Sequence, residues 1–160
     1  MIVACSSVVA GPTAEHSAGE AGAADPAVTS SASEFSDYAA FVAEYADAAE
    51  NLGNSLPDGA SLPNDPPGQW ATDGSYEDGL GEITAGVLWR CEWSQALIAA
   101  VDRGDTAMMQ NALVQLEAWV DLPEVAPRID ESLRDHWEVD VLTPTREGDF
   151  VPLRDVVDAC

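Results

Sequence analysis

Ser132, His136 and Asp140 stand four residues apart, a spacing that on a helix aligns a hydroxyl, an imidazole and a carboxylate along one face. Those groups are the parts of a nucleophile, its base and an orienting acid. Working triads gather their members from separate elements around a substrate and need an oxyanion hole, and the sequence holds no Gly-rich strand-to-helix turn to supply one. The expected reading is a helix face hydrogen-bonded to solvent near Trp137. The other histidine, His16, belongs to the N-terminal segment, so imidazole chemistry in the folded part must use His136. With Asp140 or Asp135 it offers a partial metal site, but one imidazole among exposed carboxylates is a poor donor set.

Acidic residues invite a calcium reading of the segment Asp73-Gly74-Ser75-Tyr76-Glu77-Asp78-Gly79, which has oxygens at alternate positions. It fails the EF-hand pattern, because Asp78 displaces the required glycine and Thr84 holds the bidentate glutamate position. What is left is a weak set of metal candidates, Asp73, Glu77, Asp78 and Glu82, against acids that simply complement a helix start. Any two of the 29 acids could converge as a glycosidase pair, yet no pair stands out. The chain has no Lys, which excludes Schiff-base chemistry and a lysine base. No cofactor is expected.

Among five tryptophans, Trp89, Trp93, Trp119 and Trp137 lie on helical stripes continuous with Leu, Val and Ile and read as core. Trp70 stands apart. Flanked by Gly68, Gln69 and Thr72 in a Pro-rich segment, it and Tyr76 are the candidate binding residues, with Trp70 either a plug over the core or an exposed recognition residue. Of the three cysteines, Cys91 falls inside an apolar helix and Cys160 ends the sequence, so a disulfide between them would fix that end to the core. By chain entropy a loop of this size corresponds to roughly 4 kcal/mol.

The elements that must carry these residues are helical. Phe35, Tyr38, Phe41, Val42, Tyr45, Ala49 and Leu52 recur at helical intervals after a capping box, Ser31-Ala32-Ser33-Glu34, and Gly53 is the expected stop. Residues 53–79 are rich in Pro, Gly, Asn and Asp and predict a long loop. A second helix over 80–103 is apolar around more than half its circumference; Gly104 ends it and Asp105 caps a third, which stops before Pro123. A fourth is expected over 127–139 with Ile129, Leu133 and Trp137 inward, then a brief extended stretch over 139–143. A short last helix follows Asp149, burying Phe150, Leu153, Val156 and Val157. The expected fold is thus all-α, a small bundle of four to five helices, with a single helical domain over 34–160.

Residues 6–33 contain no aromatic residue, Leu or Ile, and cannot bury enough apolar surface to offset ordering, so they read as a disordered tether. Ahead of them, Ile2-Val3-Ala4-Cys5 resembles the lipobox of bacterial membrane-anchored lipoproteins, whose cysteine becomes the lipid-bearing first residue. That resemblance covers residues 2–5 alone and implies that 1–5 are the remnant of a signal ending at the lipidation site Cys5, with its basic and apolar parts upstream of Met1. It implies an extracytoplasmic domain held to the membrane by that lipid. An even remainder of cysteines suits the same oxidising compartment. A net charge of −23, from 29 acids against six Arg, makes nucleic acid a poor partner. The function expected is binding or assembly at the cell envelope, more a non-enzyme than an enzyme, toward an unknown envelope protein or small ligand. Two alternatives stay open: a small envelope hydrolase using His136 or a carboxylate pair, and a soluble, salt-adapted acidic helical domain.

Overall fold

The computed structural model describes residues 35–160; Cys5, the tether and the 31–34 capping box lie outside the described residues. Its first element is a strand, β1 (Phe35–Asp37), which pairs antiparallel with β2 (Ser75–Glu77), Phe35 opposite Glu77 and Asp37 opposite Ser75. Helix α1 (Tyr38–Gly53) therefore begins later than the aromatic spacing predicts. The cause is Asp37, whose extended backbone and carboxylate, accepting from the Ala40 N–H at 2.9 Å, form the N-cap. Gly53 is the last residue of the helix rather than its stop. Asn54 closes the end through its N–H to the Leu52 carbonyl.

Helix α2 (Leu80–Arg103) has the predicted limits and is the centre of the bundle, in contact with α1, α3 (Thr106–Ala118) and α6 (Val151–Asp158). Gly104 closes it in a left-handed conformation, its N–H reaching the Ala100 and Val101 carbonyls, and Asp105 caps α3 by accepting from the Met108 N–H. Gly81 lets the start of α2 lie against α1, because a Cβ there would collide with the Phe41 carbonyl and the Tyr45 N–H. Glu44 of α1 reaches across that contact and accepts from the Gly79 and Gly81 N–H groups at 2.9 and 3.3 Å. A carboxylate there satisfies helix-start donors and complements the dipole.

After α3 the chain departs from expectation twice. The predicted 127–139 helix is split: one turn over Ala126–Arg128, an extended Ile129, then α4 (Glu131–His136), recapped by the Asp130 carboxylate on the Leu133 N–H at 2.8 Å. Leu133, expected inward, is 40% exposed. The predicted extended stretch is a π-type turn, Trp137–Leu142, running into α5 (Thr143–Arg146). That wide turn puts Trp137, Val141 and Leu142 in the core together and turns Val139 outward, whereas a strand would send the adjacent Val141 and Leu142 to opposite faces. Counting the run from α4 to α5 as one, the described residues hold five helices and one two-stranded ribbon.

The core joins all of them. Tyr45, Trp89, Leu97, Leu116, Trp119 and Leu153 are essentially inaccessible to solvent, and each such side chain contributes about 1.5–3 kcal/mol by burial. No helix among the described residues is long and apolar enough to cross a membrane.

Candidate functional site

The 53–79 segment, expected to be loop throughout, holds β2 at its far end because Ser75–Glu77 pair with β1, and the rest is tied down at several points. Ser55 accepts from Trp89 Nε1 through its hydroxyl at 2.9 Å and from Trp93 Nε1 through its carbonyl at 3.0 Å. The Tyr45 hydroxyl donates to the Pro63 carbonyl at 2.8 Å, and burial, with the nearby Asp65 charge second, raises its pKa. At the far end Phe41, fully buried, is covered by Tyr76 at 4.9 Å between ring centroids and by Trp70 at 4.7 Å. The Tyr76 hydroxyl donates to the Ala71 carbonyl and Trp70 Nε1 to the Pro67 carbonyl, so both polar handles serve the loop itself.

This places the two candidate binding residues. Tyr76 is a buried core residue at 8% exposure, and Trp70 is a half-buried plug over Phe41. The other four tryptophans are also core, with every indole N–H donated inside the protein: Trp119 to the Gly86 carbonyl and Trp137 to the Leu116 carbonyl complete the set. None of the five has a donor left for a ligand.

The metal candidates are dispersed among structural tasks. Glu77 sits in β2 opposite Phe35, and Glu82 pairs with Arg128 at 3.6 Å. Asp73 lies at the exposed turn before β2, and Asp78 lies between β2 and α2. Among the described residues, no group of three or more His, Cys, Asp or Glu side chains is placed to hold a metal ion.

On the other side of α2 the predicted disulfide is formed: Cys91 and Cys160 are bonded with their Cα atoms 5.9 Å apart. It fixes the end of α6 beside the middle of α2. Next to it opens a depression of about 330 Å³, lined by Arg90 of α2, His136, Asp140, Pro152 and Val156 of α6, and Ala159 just past the end of α6. His136 and Asp140 are joined there, Nδ1 to Oδ2 at 2.7 Å, with both side chains more than half exposed. Ser132 has no hydrogen bond to His136 among the described residues, so the three-residue alignment on one face yields a pair and no triad.

Arg90 is the residue that spacing alone did not single out. Its guanidinium lies over Trp119 at 4.6 Å and Trp137 at 5.3 Å, its Nε is buried without a hydrogen-bond partner, and burial lowers its pKa. A signal was present: Arg90 interrupts an apolar arc and has no acid three or four residues away on either side, where Gly86, Val87, Trp93 and Ser94 stand.

No family model, curated protein or solved structure matches this chain.

Proposed function

We infer that this is a lipid-anchored extracytoplasmic domain that binds a ligand or partner at the cell envelope, held to the membrane through Cys5. The observation that carries the reading is the Cys91–Cys160 bond, since structural disulfides persist in oxidising compartments. It agrees with the lipobox resemblance of Ile2-Val3-Ala4-Cys5 and with the composition of residues 6–33, which from sequence is expected to be a tether. A binding role is preferred to hydrolysis because His136 is exposed and, among the described residues, is engaged by Asp140 alone, with no hydroxyl nucleophile on it.

The test is mass spectrometry of the product of the gene, expressed with its own upstream sequence in a bacterial host. A diacylglycerol adduct on Cys5 in a membrane fraction, with Cys91 linked to Cys160, is the expected result. An unmodified Cys5 in the soluble fraction would remove the anchor, and with it the assignment of compartment.

A further inference from the structure

In a chain with 29 acids and six arginines, every guanidinium has carboxylates to choose from. Four take them: Arg128 with Glu82, Arg134 with Asp121, Arg146 with Glu117 and Glu138, and Arg154 with Asp102. Arg103 is exposed in the last turn of α2, where a cation complements the helix dipole. Arg90 is different. It is half-buried in the middle of the longest helix, and no carboxylate among the described residues pairs with it. Removing a cation from water without a counter-charge is costly, and two indole faces offset only part of that cost. A methionine or leucine would fill the same space without it. An arginine laid on two tryptophan faces, its Nε buried and unpaired, at the edge of an open depression, has the geometry of an anion receptor.

The rest of the lining specifies which anion. Val141, Pro152, Val156 and Ala159 give apolar walls, which suit a hydrocarbon body. Asp140 and Asp155 also face the depression. Their charge, with the chain's −23, disfavours a doubly charged group such as phosphate more than a singly charged one. His136, bonded to Asp140, holds that carboxylate on the His136 side rather than on Arg90. We propose that the Arg90 depression binds a small monocarboxylate with a short apolar body, the carboxylate paired with the guanidinium and the body lying on Pro152, Val156 and Ala159. The site is built by the disulfide: Arg90 precedes Cys91 and Ala159 precedes Cys160, so the bond holds the α6 wall against the turn of α2 that carries the receptor. The proposal rests on the binding reading given above and names its ligand class.

The test is calorimetric titration of the full, oxidised chain with hexanoate, and with hexan-1-ol and inorganic phosphate as the body without the charge and the charge without the body. Hexanoate binds with a Kd on the order of 1 mM, and the two controls bind at least about tenfold more weakly. Arg90→Gln weakens hexanoate by about tenfold or more. Ala159→Trp, at an exposed position, fills the depression with Arg90 left in the sequence and abolishes binding in a chain that remains folded. Equal binding of hexanoate and hexan-1-ol, unchanged hexanoate affinity in Arg90→Gln, or no binding of hexanoate would each overturn the proposal. The anchored reading fails separately: a lipidated chain that ignores hexanoate loses this site and keeps its anchor, and an unlipidated chain that binds hexanoate keeps this site and loses the anchor.

Discussion

Two regions of the molecule gather aromatic residues, and they have opposite chemistry. At the 53–79 loop, Trp70 and Tyr76 cap Phe41, and each polar handle is spent on a loop carbonyl. At the depression between α2 and α6, Trp119 and Trp137 also donate their indole N–H groups internally, but their faces support an arginine whose Nε has no acceptor. The first region is aromatic, mostly covered and satisfied. The second is less conspicuous in sequence and unsatisfied. Where buried polar groups are almost always paired, the unpaired one is the better pointer to a ligand than the aromatic in a loop.

Mutations separate the two regions by the sign and size of their effect on stability. The largest loss is expected from Phe41→Ala, which empties the space under Trp70 and Tyr76 and costs about 3–5 kcal/mol; the midpoint of urea unfolding reads it directly. Cys160→Ser follows at about 2–4 kcal/mol by loss of the cross-link, and unlike Phe41→Ala it also weakens hexanoate binding. Tyr76→Phe removes one hydroxyl from the loop and costs about 1 kcal/mol, with no effect on hexanoate. Arg90→Met inverts the pattern. Stability stays unchanged or rises by up to about 1 kcal/mol, because a half-buried cation without a counter-charge is replaced by an apolar side chain of similar reach, and hexanoate binding is lost.

The smallest effect comes from Glu138, whose carboxyl is held below its ordinary pKa, first by the hydrogen bond from Arg146. A depressed carboxylate contributes stability that is present above its unfolded pKa and lost as pH falls through the folded value. Glu138→Gln therefore lowers the thermal midpoint slightly at neutral pH and not at all once the solution is more acidic than that folded value. Both side chains are more than a third exposed, so solvent screening keeps this below about 1 kcal/mol.

The bundle was largely legible because its strongest signals are local. Both limits of α2, the Gly104 stop and the Asp105 cap follow from residues in direct succession. The strand Phe35–Asp37 was not legible, since its partner lies forty residues away and Phe35 keeps helical spacing with Tyr38 and Phe41. The π-type turn was missed for a related reason: Val139, Val141 and Thr143 look extended by propensity, but the burial of Trp137, Val141 and Leu142 on one side decides the backbone. At the site, the disulfide and the His136–Asp140 pair were readable from composition and spacing. Arg90 was not singled out, because its lack of a partner depends on which acids fold near it.

Amide shift mapping of the isotopically labelled, oxidised chain during a hexanoate titration decides which of the two regions meets the ligand. Shifts concentrated around residues 90, 136–141 and 152–159, with residues 68–77 unmoved, are the predicted result. Shifts centred on 68–77, or none anywhere, would contradict it.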